Sequence, residues 1–218
     1  MIRKNMVFLW VTALLPTLLC LWFYPQLPAV IPTGFHNGTI TQYGPKATIW
    51  LLGGLGPVIA ALFTLLPMVD PRRKNYARMG SRYNLLAGGT NLFLLAMTGL
   101  LIAESLHPGS LHIENLVVCA LGLLFAMMGN FMPKSGSNFS FGIRNMWTLS
   151  SDAVWQRTHR MAGKLWFFGG LLLVLLGLSP LRAAVLYPVF FAVTMLMALI
   201  PTGYSFLLWR RENPQPRD

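Results

Sequence analysis

Long, uninterrupted apolar blocks dominate this chain and limit what it can fold into. Six blocks are each close to the roughly 20 residues that a helix needs to cross the hydrocarbon core of a bilayer. Only 11% of the 218 residues are charged, against about 25% in a soluble domain. The pattern predicts an all-α polytopic membrane protein with about six transmembrane helices. The predicted spans are residues 6–24, 47–69, 83–106, 113–132, 161–178 and 183–209.

The distribution of Lys and Arg predicts how these spans are oriented. If the N-terminus is inside, 15 of the 17 Lys and Arg residues face the cytoplasm, and only Lys46 and Arg182 lie outside. Cytoplasmic loops of membrane proteins carry such an excess of basic residues. We therefore expect an even number of spans with both termini in the cytoplasm (N-in, C-in). Because these loops account for the net charge of +11, we expect no direct contact with nucleic acid.

Two connecting segments are longer than a simple turn. Residues 25–46, on the expected outer side, hold four Pro and three Gly residues, a composition that disfavours regular helix and favours fixed turns. Residues 133–164, on the expected inner side, are polar, basic and rich in aromatic side chains. In the inner segment, Ser150 or Ser151 is suited to the N-cap of a helix that has Asp152 in its first turn. We expect this helix to continue into the fifth span.

Polar and small residues recur at helical spacing inside the spans. Asn84, Asn91 and Thr98 of the third span are seven residues apart and therefore share one face, which is expected to meet protein or water rather than lipid. Hydrogen bonding between helices and a polar path for a ligand are both open interpretations of this face. We expect the third and fourth spans to pack through it and through a matching stripe on the fourth span. That stripe consists of Asn115, Cys119, Gly122, Ala126 and Gly129.

Few residues are arranged for chemistry. The chain has neither GxSxG nor HExxH, and no span carries paired carboxylates. His159 has no second His or carboxylate at ligand spacing, so we interpret it as a hydrogen-bonding residue rather than a metal ligand or a base. We therefore expect no catalytic residue, no metal and no cofactor, and we take the chain not to be an enzyme.

Three short motifs follow one another in the inner segment. They read Gly129-Asn-Phe-Met-Pro-Lys134, Asn138-Phe-Ser-Phe-Gly-Ile-Arg-Asn-Met-Trp-Thr-Leu-Ser150 and Val154-Trp-Gln-Arg-Thr-His-Arg-Met-Ala-Gly-Lys164. Together they resemble the pattern of the SdpI family of bacterial membrane proteins. The candidate functional residues carried by this resemblance are Asn130, Pro133, Lys134, Asn138, Gly142, Arg144, Trp147, Thr148, Trp155, Thr158, His159, Arg160, Gly163 and Lys164.

The N-terminal part resembles the module that often precedes this pattern. The matching positions in its outer loop are Ile31, Pro32, Phe35, Gly38, Gly44 and Lys46. The loop also departs from the family pattern, because Gly34 stands at the expected His position, and Thr39 and Thr41 stand at the acidic positions. The two resemblances divide the chain into an N-terminal two-helix module, residues 1–82, and a four-helix SdpI-like module, residues 83–218.

The resemblance implies a role in immunity to, or sensing of, a secreted antimicrobial peptide. It also implies a multi-pass location in the bacterial cytoplasmic (inner) membrane. The implied partners are the lipid bilayer, a peptide toxin and a cytoplasmic transcriptional repressor that receives a membrane signal. Our alternative hypothesis is a small transporter or flippase for an amphipathic molecule, with the polar face of the third span lining its path. The basic stripe of Arg157, Arg160 and Lys164 fits either lipid headgroups or a docking surface.

Overall fold

A computed structural model describes residues 2–72 and 74–213 of the chain. Within these residues, six helices are long and apolar enough to cross a membrane, as the apolar blocks predict. They make the chain a polytopic, all-α membrane protein. In chain order, the helices are α1 (Ile2–Phe23), α2 (Ile49–Val69), the short α3 (Lys74–Met79), α4 (Ser81–Leu106), α5 (Ile113–Phe131), the short α6 (Met146–Ser150), α7 (Asp152–Leu178) and α8 (Ala183–Glu212).

The helix bundle has two ends with different loops. We call one the hairpin end, where residues 24–48, 107–112 and 179–182 connect the long helices. The other is the basic end, where α3, α6 and the loops around them lie. Most of the loop Lys and Arg residues belong to the basic end, which the charge pattern predicts to be cytoplasmic.

The connection between α1 and α2 contains a β-hairpin, which the sequence did not lead us to expect. Strand β1 (Val30–His36) pairs antiparallel with β2 (Thr39–Pro45), and His36 lies opposite Thr39. Asn37 and Gly38 form the turn with φ values of 51° and 78°, and two positive φ values are typical of the tight turns that join such strands. Ile31 is fully buried with residues of α1, α2 and α4, so the hairpin is fixed to the bundle.

Helices α5 and α7 are in close contact because glycines line the seam between them. A Cβ atom at Gly170 would lie 2.5 Å from the carbonyl oxygen of Gly122, and one at Gly163 would lie 2.7 Å from that of Gly129. Side chains at these positions would therefore keep the two backbones apart.

The packing of α4 corrects one expectation. The prediction that the third and fourth spans pack through their polar and small faces is wrong, because the small face of α5 meets α7 instead. Asn91 of α4 faces α1, where its Nδ2 donates to the Leu9 carbonyl oxygen at 3.4 Å. A stripe of small residues indicates that a helix can approach another closely, but it does not identify which one.

Candidate functional site

The three motifs of the inner segment meet at the basic end of the bundle. Residues 132–151 fold back over the start of α7, and we call this stretch the motif cap. Helix α7 begins as expected, since Asp152 is its first residue and the Ser151 hydroxyl accepts a hydrogen bond from Val154 N. The motif residues thus form one folded unit rather than an extended loop.

Two aromatic side chains of α7 support the motif cap from below. Trp155 and His159 are at most 1% exposed, and their rings stack with centroids 3.9 Å apart. Trp155 Nε1 donates to the Ser135 carbonyl oxygen at 3.0 Å, and His159 Nε2 accepts from Ile143 N at 3.0 Å. Because Nε2 accepts a backbone N–H, the imidazole is neutral and carries its proton on Nδ1, which lies 2.9 Å from the Trp155 carbonyl oxygen. Both ring nitrogens of His159 are therefore used in holding the backbone.

Gly142 is required where the motif cap passes over these rings. Its φ is +100°, a conformation that L side chains rarely adopt. A Cβ atom at this position would also lie 2.5 Å from His159 Nε2. The glycine of the motif therefore allows the close approach that lets Ile143 bond to His159.

Helix α6 is capped at its N-terminus and joined to α8. Asn145 Oδ1 accepts from Thr148 N at 2.9 Å, while the Thr148 hydroxyl accepts from Asn145 N at 3.1 Å. These reciprocal bonds form a capping box. Asn145 Nδ2 also donates to the Ser205 hydroxyl of α8 at 2.8 Å, and the Trp147 ring lies against Phe206. The motif cap is thus attached to the last helix as well as to α7.

Asp70 holds the motif cap from the N-terminal part of the chain. This carboxylate is 5% exposed, and its Oδ2 accepts from Phe139 N at 2.9 Å, from the Ser140 hydroxyl at 3.1 Å and from the Tyr76 hydroxyl at 2.6 Å. Its Oδ1 accepts from Arg72 N at 2.8 Å. Burial acts to raise the pKa of Asp70, but these hydrogen bonds outweigh burial and lower the pKa below its ordinary value.

Sequence reasoning did not identify Asp70, Asn145 or Ser205 as parts of this site. The sequence context of Asp70 could have indicated its role, because Asp70 directly follows the second apolar block and is the only acidic residue within a run of basic residues. Asn145 lies between motif positions and Ser205 lies inside the sixth span. Nothing in the sequence pairs these two residues.

Apart from the half-buried Trp147, the candidate residues of the motifs are either buried or exposed. The buried residues organise the motif cap or pack beneath it, and they are Asn138, Thr148, Trp155, Thr158, His159 and Gly163. Pro133 is exposed but close to Gly163, since a Cβ there would lie 2.6 Å from the proline ring. Exposed residues with polar side chains form a mainly basic surface that consists of Asn130, Lys134, Arg144, Arg160 and Lys164.

The polar face of α4 lies apart from this site. Asn84, Asn91 and Thr98 are all buried, at most 6% exposed. The Thr98 hydroxyl donates to the Leu94 carbonyl oxygen within its own helix. Cavities of about 710 Å³ beside Arg72 and about 1070 Å³ at the hairpin end are lined by other residues. Neither of these cavities includes a residue of the polar face, and Asn91 Oδ1 on this face is buried with no hydrogen-bond partner among the described residues.

Known proteins resemble the chain in both of its parts. Residues 134–205 match the SdpI/YfhL protein family, and residues 11–56 match a domain of unknown function, DUF1648. The chain is also 21% identical to "Immunity protein SdpI" of Bacillus subtilis (strain 168) over 212 residues, which covers 97% of this chain and 98% of the relative. No solved structure matches the chain. The family resemblance that the motifs indicated is confirmed.

Proposed function

We propose that this member of the SdpI family gives immunity to, or senses, a secreted antimicrobial peptide from the bacterial cytoplasmic membrane. The observation that carries the proposal is the match to an immunity protein over nearly the whole length of both chains. Both the helical frame and the motif segment lie inside that match, which supports a shared role for the two proteins. The hairpin end would face the outside, where a secreted peptide arrives.

The connections of the motif cap support a sensing role. The cap is bonded to Asp70 after α2, to His159 on α7 and to Ser205 on α8. Helices α2, α7 and α8 all run from the hairpin end to the cap. A ligand that prefers one arrangement of these helices would shift the population of cap conformations, and a ligand without such a preference would not.

The exposed basic residues of the cap region supply a surface for the response. Lys134, Arg144, Arg160 and Lys164 are exposed at the predicted cytoplasmic face. We propose that a cytoplasmic partner such as a repressor binds there in one state of the cap, and that anionic lipid occupies this surface in the other. Binding alone performs this function, so the proposal includes no catalytic step.

Survival of peptide-treated bacteria tests the proposal. A Bacillus subtilis strain that lacks its own SdpI would be compared with and without this gene, using purified secreted antimicrobial peptides that include the one to which that relative gives immunity. We expect a higher surviving fraction with the gene for at least one peptide. Equal survival for every peptide, with normal amounts of the protein in the membrane, would contradict the proposal.

A further inference from the structure

A cavity of about 710 Å³ opens at the basic end of the bundle, beside the motif cap. One of its walls consists of Pro71, Arg72 and the start of α3, and the other is the junction of α6 and α7. Its volume falls within the roughly 300–1,000 Å³ that is usual for small-molecule sites. The cavity therefore lies between the N-terminal part of the chain and the motif cap, and it is large enough for a small ligand.

The last turn of α2 places this cavity next to the lipid. Met68 and Val69 are 69% and 79% exposed, and they end a helix that is long and apolar enough to span a membrane. Exposed apolar side chains on such a helix face the hydrocarbon of the bilayer. The cavity begins just beyond them, at Pro71. Its depth therefore corresponds to the headgroup region, where the phosphates and amines of lipids lie.

Two basic residues give one wall of the cavity its positive charge. Arg72 is fixed in place, because its Nη2 donates to the Leu149 carbonyl oxygen at 2.9 Å and its guanidinium lies over the Phe139 ring, 5.0 Å from the centroid. Lys74 is exposed and takes part in no ion pair within the described part of the chain. Lys74 can therefore donate to an anion, and Arg72 adds a positive charge at a fixed position.

Asp152 supplies the opposite charge from the other wall. Its side chain is 78% exposed, and its Oδ1 lies 4.0 Å from Arg72 Nη1, which is too far for a hydrogen bond. The hydroxyl of the neighbouring Ser150 does not donate to it, because that hydroxyl donates to the Trp147 carbonyl oxygen at 3.0 Å. The Asp152 carboxylate is therefore available to a donor that enters the cavity.

The two signs of charge in the cavity select among ligands. A simple anion would be attracted by Arg72 and Lys74 but repelled by Asp152, and a simple cation would meet the reverse arrangement. A zwitterion whose charges are a few bonds apart can pair with both walls. Its positive group should carry N–H bonds, because a carboxylate pairs most strongly with charged hydrogen-bond donors.

We propose that this cavity binds a phosphoethanolamine group, with the phosphate at Lys74 and Arg72 and the ammonium at Asp152. The group is the headgroup of phosphatidylethanolamine, and it also occurs in soluble glycerophosphoethanolamine. Because the occupant contacts both walls, it holds the junction of α6 and α7 against α3. The inference goes beyond the proposed function and does not depend on it, since the site is defined by its own charges.

Native mass spectrometry of the full chain in maltoside detergent tests the site. The chain would be titrated with dioleoyl phosphatidylethanolamine, with phosphatidylcholine, whose amine has no N–H, and with phosphatidylglycerol, which has no amine. We expect phosphatidylethanolamine to bind most tightly. Asp152→Asn should weaken its binding roughly fivefold, as the loss of one partly exposed ion pair would, and should abolish the preference over phosphatidylglycerol. Equal affinities of the unchanged chain for the three lipids would overturn the proposal.

Matched variants separate this cavity from a general attraction between basic residues and phosphate. Lys74→Gln and Arg211→Gln each remove one exposed positive charge from the basic end, but Arg211 lies outside the cavity. Glu212→Gln is likewise the control for Asp152→Asn, because Glu212 is at the same end and does not line the cavity. We expect both cavity variants to bind phosphatidylethanolamine more weakly and both controls to bind it like the unchanged chain. Equal losses in a cavity variant and its control would contradict the site.

Filling the cavity tests it without changing any charge. Ser150 is exposed and lines the cavity, so the larger side chain of Ser150→Phe should occupy its space and weaken phosphatidylethanolamine binding. Unchanged binding in this variant would also count against the proposal.

Competition with glycerophosphoethanolamine distinguishes the two sources of the group. If this soluble ester displaces phosphatidylethanolamine at a similar concentration, the site takes a soluble ligand. If it does not, the ligand is a membrane lipid whose acyl chains lie against the exposed end of α2.

Discussion

Asp70 and His159 hold the motif cap from opposite sides, and each does so by accepting backbone N–H groups. Asp70 binds Phe139 N, and His159 binds Ile143 N, so the short turn between these residues is fixed at both ends. Neither side chain needs to react with anything to do this. The residue-level role supported by these bonds is to give the cap one defined conformation, since an unpaired buried N–H costs about 1–3 kcal/mol.

Replacing Asp70 with Asn tests this role. The amide presents N–H groups where Oδ2 now accepts three hydrogen bonds, so we expect a loss of about 2–3 kcal/mol in stability. Thermal unfolding in detergent can be followed with a thiol-reactive dye, because Cys20 is buried and Cys119 partly so. Asp152→Asn is the control, since that side chain is 78% exposed and lies 4.0 Å from Arg72, and its loss should change little.

The lowered pKa of Asp70 adds a test by pH. The folded pKa lies below the unfolded value of about 3.9. The carboxylate therefore contributes its full stability above that unfolded value and loses it only as the pH falls through the folded pKa. The stability difference between Asp70→Asn and the unchanged chain should be the same at pH 8 and pH 6. A difference that vanishes between these values would contradict the assignment.

At the scale of helices, the seam between α5 and α7 sets the position of the motif. Gly163 and Gly170 lie on the same helix as Trp155 and His159. The contact that fixes α7 against α5 therefore also fixes the two aromatic side chains on which the motif cap packs. Contacts between helices in lipid gain little from the hydrophobic effect and depend on close packing. A side chain that adds volume between α5 and α7 should therefore also displace the α7 residues that support the motif cap.

Gly170→Ala tests the seam. The new Cβ would touch the backbone nitrogen of Ala126 and lie 2.5 Å from the Gly122 carbonyl oxygen. Because backbone on a packed helix cannot rotate away, the helices must separate, and we expect a loss of about 1–3 kcal/mol. Gly169→Ala is the matched control, since its nearest neighbour is the flexible Met197 side chain. Equal melting temperatures of the two variants in the thiol-dye assay would contradict the prediction.

At the scale of the whole molecule, six helices among the described residues are long and apolar enough to cross a membrane. An even number of spans and the retention of Lys and Arg in the cytoplasm predict that both ends of the chain and the basic end of the bundle are cytoplasmic. The division into modules of residues 1–82 and 83–218 stays a prediction. Hydrogen bonds connect the two, because Asp70 accepts from Phe139 N and Gly38 N donates to Glu114.

Topology reporters test this orientation. Green fluorescent protein fused after Asp218 should fluoresce, and alkaline phosphatase fused there should be inactive, because both would be cytoplasmic. Alkaline phosphatase inserted between Asn37 and Gly38 should be active outside. Phosphatase activity at Asp218 would invert the assignment of both ends, and with it the proposed role of the motif cap.

The sequence by itself determined the number of long apolar helices, the end of the bundle that carries most of the charge, and the N-cap of α7 as either Ser150 or Ser151. These features depend on the length of an apolar block, on the charge of a loop or on the residues of one helical turn. Each can be predicted from the sequence because it involves only residues that are close together in the chain. The motifs likewise identified the segment that forms the cap, because the resemblance is a property of contiguous residues.

Only the tertiary structure decided which surfaces meet. The glycine stripe of α5 faces α7 rather than α4, and the outer loop pairs as a hairpin. Asp70 reaches Phe139 across 69 positions of chain, and Glu114 reaches Gly38 across 76. A stripe of small residues shows that a helix can pack closely, and a buried carboxylate shows that a hydrogen-bond donor is needed. Neither identifies the partner, because several segments of the chain could supply one. The choice among them comes from packing the whole bundle at once.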